Sequence, residues 1–118
     1  MVTLESVADA AWRRDGLELR RLTQNFLRDH PKLDEVPRPT TINSQLLTIA
    51  AALLELFALR AGQSAPSWTL EIGAMVKPMY LVEAAARMKN LRALCELESP
   101  EPLRKRGLYA PPQFLTFA

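Results

Sequence analysis

The segment QLLTIAAALLELFALRA, residues 45–61, contains the strongest helical pattern in the chain. Its large apolar residues recur at three- and four-residue steps and cover more than half of the circumference of a helix. A helix that is apolar on so many sides is normally surrounded by other elements of the fold. Asn43 or Ser44 can cap its first turn, and Gly62 can provide the left-handed residue that ends it. We therefore predict that this segment is the buried central helix.

Two shorter helices are predicted before the central one. Thr3 can cap the first, whose apolar face extends to about Trp12. An Asp-Gly pair interrupts the pattern at residues 15–16, and a second helix is expected from Leu17 to Arg28. The proline-rich stretch 31–41 has no sustained period, so we expect a partly extended connector there.

The pattern after the central helix is less regular. A glycine and a proline interrupt residues 70–80, which we expect to be irregular. Helical spacing returns from Glu83 to Leu97, with residues 80–87 as an alternative separate short helix, and a brief helix is expected over residues 100–105. The elements together predict an all-α fold. It is a compact single domain of residues 1–118, with four to six helices around the buried central helix.

Length and composition are those of an ordinary soluble domain. The chain has 118 residues, of which 48% are hydrophobic and 24% are charged. No run approaches the ~18 apolar residues of a membrane span, and no basic start is followed by the apolar block of a secretory signal. The single cysteine, Cys95, excludes an internal disulfide, and its apolar neighbours predict a core thiol. We therefore predict a cytoplasmic protein with no membrane association.

Residues for catalysis or metal binding are scarce. His30, the single histidine, precedes a proline at a predicted helix end, where it is expected to cap free carbonyl groups rather than act as a base. One histidine and one cysteine cannot form a structural zinc site. The four glycines are too far apart for a phosphate-binding loop. These features predict a non-enzymatic protein with no cofactor and no metal.

Residues 107–118 form a strongly apolar C-terminal arm that contains two adjacent prolines. A chain terminus is usually polar and frayed. The arm either folds back on the central helix, which is the default expectation, or docks on another protein. Arginine and aromatic side chains dominate interface energetics, so the predicted partner-binding residues come from the arm and from the basic cluster before it. They are Arg104, Lys105, Arg106, Tyr109, Phe114 and Phe117.

A second basic group lies in the first two predicted helices and supports an alternative function. In a helix-turn-helix arrangement these helices would present arginines to DNA phosphates, which is typical of a transcriptional regulator or autorepressor. The residues are Arg13, Arg14, Arg20 and Arg21. The net charge is only +2, however, and Glu18 lies three residues before Arg21, where the two side chains can pair. Pairing within the helix is therefore the competing interpretation.

Two motifs indicate a family. The stretch ALLELFALRAGQSAPSWT contains a turn with Ala61, Gly62, Pro66 and Trp68. The stretch LRALCELESPEPLRKRGLYAPPQFLTFA contains ESP at 98–100 and LRKRG at 103–107. In both, the chain resembles small bacterial proteins that are often encoded beside a nucleotidyltransferase-like protein in presumed toxin–antitoxin pairs.

The resemblance implies a cytoplasmic, antitoxin-like protein that neutralises a cognate toxin by direct contact. The protein partner it implies is a nucleotidyltransferase-like toxin, and antitoxins of this kind frequently also repress their own operons. No contact residue carries over from the resemblance. Homo-oligomer formation stays open, because Trp12, Met75, Met79 and Tyr80 suit either a core or a homodimer face.

Overall fold

The computed structural model describes residues 2–40 and 43–116. These residues form five α-helices, which confirms the predicted all-α fold with a buried central helix. The helices are α1 (Leu4–Trp12), α2 (Gly16–Asp29), α3 (Ser44–Ala61), α4 (Lys89–Glu98) and α5 (Glu101–Arg104). Three short 3₁₀ turns connect them, at Leu33–Glu35, Ser67–Glu71 and Glu83–Ala86.

The core is built around α3. Every residue from Thr48 to Ala58 is buried, and α1 and α5 pack against this helix together with the first two 3₁₀ turns. The Asn43 side chain accepts hydrogen bonds from the backbone amides of Gln45 and Leu46, and Gly62 ends the helix with a φ of 68°. Both capping predictions are thus confirmed. α3 is long and apolar enough to cross a membrane by composition, and 61% of it is buried inside the fold, as in the core helix of a soluble protein.

The region around residues 70–80 is irregular, as predicted, except for one short strand. Strand β1 (Met79–Tyr80) pairs in parallel with β2 (Leu108–Tyr109), with Met79 opposite Leu108 and Tyr80 opposite Tyr109. The pairing continues on both sides, because the Met79 amide donates to Gly107 and the Leu81 amide donates to Tyr109. This small sheet fixes the start of the C-terminal arm to the middle of the chain.

The prediction of one continuous helix from Glu83 to Leu97 is wrong. The alternative of a separate short helix over residues 80–87 is closer, although only residues 83–86 form it and Tyr80 belongs to β1. The segment forms the 3₁₀ turn Glu83–Ala86 and then α4. The Arg92 guanidinium explains the break, because its Nε donates to the Ala85 carbonyl and its Nη2 donates to the Ala86 carbonyl, both at 3.1 Å. In a continuous helix those two carbonyls would accept backbone amides instead. Cys95 on α4 is fully buried, as predicted, and burial raises the pKa of its thiol.

A buried ion pair joins Glu55 on α3 to Arg106, which lies two residues after the end of α5. Glu55 is 9% exposed and Arg106 is 3% exposed. The Arg106 Nη1 and Nη2 atoms donate to the two Glu55 carboxylate oxygens at 2.7 and 3.0 Å. Nη2 also donates to the Thr69 carbonyl at 2.8 Å, and Lys105 Nζ lies 2.9 Å from Glu55 Oε1. Three separate parts of the chain therefore meet at one carboxylate.

The pKa of Glu55 is lowered more by its charged and hydrogen-bonding neighbours than it is raised by burial. Burial by itself raises the pKa of this carboxyl, but hydrogen bonds from Arg106, Lys105 and Thr69 lower the pKa from its ordinary 4.5 to about 2. Glu55 is consequently ionised in the folded protein at every pH at which the fold is expected to persist.

We expect Glu55→Gln to lower the free energy of unfolding by about 3–5 kcal/mol, because it leaves the buried Arg106 guanidinium without a counter-charge. The double variant Glu55→Leu with Arg106→Met should recover most of that loss, since it removes both buried charges. Lys105→Met is the matched control. Its ammonium is half-exposed, so the cost should be about 1 kcal/mol or less. Urea denaturation measures the free energy of unfolding of all three variants. Equal decreases for Glu55→Gln and Lys105→Met would contradict the conclusion that Arg106 is the main partner of Glu55.

The low pKa of Glu55 predicts a specific acid dependence. Because the folded pKa is about 2 and the ordinary value is 4.5, the stability that this group supplies is fully present above about pH 4.5. It is lost as the pH falls from 4.5 towards 2, and amounts to about 3 kcal/mol. Urea denaturation between pH 6 and pH 2.5 should show this slope in the parent and a shallower one in Glu55→Gln.

Candidate binding surface

The structure separates the three residues of the predicted basic cluster. Arg104 is exposed, and its Nη1 donates to the Leu97 carbonyl at the end of α4. Lys105 is half-exposed beside Glu55. Arg106 is buried in the ion pair, so it is not available to a partner in this conformation. Only the first two residues of the cluster therefore present charge at the surface.

The C-terminal arm folds back on the core, which was the default expectation. Leu108 and Ala110 are fully buried, and Phe114 is almost so. Arg60 on α3 holds the arm in place by donating to the carbonyls of Phe114 and Pro112. Selecting Phe114 as a contact residue was therefore wrong for this conformation, because its ring completes the core of its own chain.

Two aromatic residues of the arm remain from the predicted contact set. Tyr109 is partly exposed on β2, and its ring lies 5.6 Å from the Tyr80 ring on the neighbouring strand. Phe117 lies outside the described residues.

The N-terminal arginines are exposed, but two of the four form ion pairs within their own helices. Arg13 pairs with Asp9 at 2.9 Å and Arg21 pairs with Glu18 at 2.6 Å. The second pair is the one that the sequence spacing predicted, and it lowers the pKa of Glu18 and raises that of Arg21. Arg20 is exposed on α2. A phosphate ligand would have to compete with these carboxylates.

Arg14 has a different environment from the other three. It occupies the left-handed position after α1, with a φ of 56°. Its amide donates to the Ala11 carbonyl and the Asp15 amide donates to Ala10, both at 3.1 Å, which is the Schellman pattern at a helix end. Glycine is the usual residue there, because a side chain in the left-handed region costs roughly 1–2 kcal/mol. The Arg14 side chain extends to β1, where Nε donates to the Tyr80 carbonyl at 2.8 Å.

Arg14 and α4 line a cleft of about 410 Å³, which we call the Arg14–Arg92 cleft. Its polar members are Arg14, Tyr80, Arg92 and Glu96, and its walls are Val82, Ala85 and Ala86. The Tyr80 hydroxyl donates to Glu96 Oε1, and this hydrogen bond raises the pKa of the tyrosine. Tyr80 contacts one residue from each predicted set. Its carbonyl accepts a hydrogen bond from Arg14 of the DNA-binding set, and its ring lies beside Tyr109 of the contact set.

Sequence reasoning missed Arg92 and did not connect Glu96 with Tyr80. Arg92 and Glu96 are four residues apart, so they share one face of α4, and that spacing was a usable signal. The approach of Arg14 to Tyr80 could not be predicted from the sequence, because 66 residues separate them and the contact depends on the packing of the whole chain.

Apolar residues also occur at every third position along α4, at 88, 91, 94 and 97, and we call this set the α4 stripe. Because three residues turn a helix by about 300°, the stripe winds half-way around α4, from the side of Arg92 and Glu96 at Met88 to the opposite side at Leu97. Leu97 is 74% exposed, and Met88, directly before the helix, is 55% exposed. Leu91 and Leu94 between them are partly buried. The main packing partner of α4 is the preceding 3₁₀ turn, Glu83–Ala86, so the stripe is left largely to solvent. Within residues 2–40 and 43–116, no group of three metal-binding side chains lies close together.

The motif residues that carry the family resemblance are structural in this fold. Gly62 ends α3, and Trp68 Nε1 donates to the Val36 carbonyl at 2.9 Å. Ser99 bridges the second motif to the arm, because its hydroxyl donates to the Leu108 carbonyl and accepts from the Ala110 amide. No protein-family model, no curated protein and no solved structure matches the chain.

We expect Arg14→Gly to be more stable than Arg14→Ala by about 1 kcal/mol, because only glycine relieves the left-handed backbone strain. Both variants lose the hydrogen bond to Tyr80, so their difference reports on the backbone alone. Thermal or urea unfolding measures it. Arg20→Gly and Arg20→Ala, within α2, provide the control, and there glycine should be the less stable by about 1 kcal/mol. If the glycine variant were less stable than the alanine variant at both positions, the left-handed backbone conformation of Arg14 would be contradicted.

Proposed function

We propose that this protein is a non-enzymatic, cytoplasmic binding module, most specifically an antitoxin-like protein that neutralises a cognate bacterial toxin by direct contact. The observation that carries the proposal is the α4 stripe, where Met88 and Leu97 are exposed on a helix that packs mainly against its own preceding turn. An amphipathic helix with regularly spaced apolar residues is a common contact element for a partner groove.

The energetic case rests on the size of these side chains. Burying an exposed leucine contributes about 1.5–3 kcal/mol, so a partner groove that covers Leu97, with the partly buried Leu94 beside it, gains favourable binding energy. Arg92 lies on the same helix as the stripe, and Arg104 is held against its last turn by the Leu97 carbonyl. Basic residues beside an apolar surface favour a partner whose own apolar groove has an acidic rim.

This proposal changes which predicted residues form the contact surface. Arg104, Lys105 and Tyr109 stay in it, because all three are accessible in this conformation. Arg106 and Phe114 leave it, since both are buried. The exposed stripe residues Met88 and Leu97 take their place.

The test is co-expression and co-purification with the product of the adjacent gene, followed by calorimetric titration of the pure proteins. Leu97→Asp should weaken the complex at least tenfold, because it places a charge in the apolar contact. Leu70→Asp is the matched control, since Leu70 is 79% exposed but lies in the Ser67–Glu71 turn away from α4. It should bind as the parent does. Circular dichroism should show the same helical content for both variants.

One outcome would overturn the proposed function and another would overturn the contact surface. If the neighbouring gene product does not bind the parent protein, the antitoxin-like function is wrong. If it binds and both aspartate variants bind equally well, the module function stands but the α4 stripe is not its contact surface.

A second proposal, a DNA-binding regulator or autorepressor, is supported by the exposure of Arg13, Arg14, Arg20 and Arg21 along α1 and α2. Binding of this kind weakens steeply as salt rises, and the slope counts the phosphates that are contacted. Neutralising Arg20 and Arg21 should flatten that slope for DNA from upstream of the gene. Nuclease treatment before the co-purification separates the two proposals, because a protein contact survives it.

A further inference from the structure

We propose that the Arg14–Arg92 cleft binds a carboxylate group, supplied by a small organic acid or by an acidic side chain. The inference rests on the cleft alone and does not require the proposed function.

The two arginines are held in place by backbone carbonyls rather than by acidic side chains. Arg14 uses Nε to bond Tyr80, and Arg92 uses Nε and Nη2 to bond Ala85 and Ala86. Neither guanidinium forms a salt bridge among the described residues. Both Nη atoms of Arg14 and the Nη1 atom of Arg92 have no protein partner there. They form a preorganised set of donors for an oxyanion, because little side-chain freedom remains to be lost on binding.

The charge of the cleft favours a carboxylate over a phosphate. Arg14 and Arg92 contribute two positive charges and Glu96 contributes one negative charge, which leaves a net charge of +1. One monoanion neutralises that charge. A phosphate dianion would leave an excess negative charge and would face the Glu96 carboxylate across the cleft. Glu96 stays oriented towards Tyr80 by their hydrogen bond, so it does not occupy the arginine donors itself.

The cleft is large enough to hold an organic group as well as the carboxylate. Its volume is about 410 Å³, and Ala85 and Ala86 line it with side chains of one carbon each. An apolar group attached to the carboxylate can therefore lie against Val82 and Ala86, while Ala85 is fully buried behind them. A ligand of amino-acid size fits that space.

The backbone at Arg14 gives independent support. A left-handed helix end with a Schellman pattern normally has glycine, and arginine occupies it here at a cost in stability. What arginine adds over glycine is the side chain, and that side chain lines the cleft. The same fact provides a clean variant, because Arg14→Gly removes the side chain and relaxes the backbone.

The experiment is a titration of the ¹⁵N-labelled full chain, followed through the backbone amides and the Nε–H signals of Arg14 and Arg92. The probes are sodium acetate, butyrate, inorganic phosphate and the blocked tripeptide Ac-Ala-Glu-Ala-NH₂, at constant ionic strength set by sodium chloride, so that each carboxylate probe carries one negative charge. The carboxylates should give saturable shifts at Arg14, Tyr80 and Arg92. Arg14→Gly and Arg92→Gln should each weaken binding at least fivefold. Arg13→Gln, an equal charge change outside the cleft, should change it less than twofold.

The outcomes separate the sources of the carboxylate and decide the proposal. Tighter binding of the tripeptide than of butyrate assigns the site to an acidic side chain, and the reverse assigns it to a small organic acid. Linear, unsaturated shifts spread over the surface would overturn the site. Tighter binding of phosphate than of every carboxylate would overturn the ligand class. None of these results depends on whether the neighbouring gene product binds, so the cleft and the proposed function can fail separately.

Discussion

The buried pair between Glu55 and Arg106 is the constraint on which the arrangement of the second half of the chain depends. A single carboxylate lies in the most buried part of α3, and it must be compensated because an isolated buried charge is very costly. Arg106 can reach it only if the residues after α5 turn inward across the core. Its additional hydrogen bond to the Thr69 carbonyl fixes the Ser67–Glu71 turn to the same point.

That inward turn determines where the C-terminal arm goes. Gly107 follows Arg106 immediately and, with a φ of 76°, redirects the chain into β2. The β1–β2 pairing then fixes the arm at its start, and Arg60 holds it at its end through the Phe114 carbonyl. The described part of the apolar arm, to residue 116, is therefore part of the core of its own chain, and the exposed apolar side chains lie elsewhere, two of them at the ends of the α4 stripe.

The break before α4 links the two candidate surfaces. Because Arg92 satisfies the Ala85 and Ala86 carbonyls, α4 begins anew at Lys89. One side of this helix then presents Arg92 and Glu96 to the cleft. The α4 stripe begins on that side at Met88 and ends on the opposite side at Leu97. Under the two proposals, a partner that contacts Met88 would also lie near the cleft.

The sequence by itself determined the class of fold and the local structure. The apolar circumference of residues 45–61 was enough to identify the central helix, and the caps at Thr3, Asn43 and Gly62 were readable because capping depends on neighbours within four residues. The pairing of Arg21 with Glu18 was readable for the same reason.

The tertiary structure alone decided which charges are buried and which surfaces are free. Arg106 looked like its exposed neighbours Arg104 and Lys105 in the sequence, and nothing local distinguishes them, because its partner Glu55 is 51 residues away. The β1–β2 pairing brings Tyr80 next to Tyr109, and the cleft also required Tyr80 to come within reach of Arg14, 66 residues away. Contacts over such distances depend on the packing of the whole chain, whereas helix caps and helical periodicity depend on a few adjacent residues.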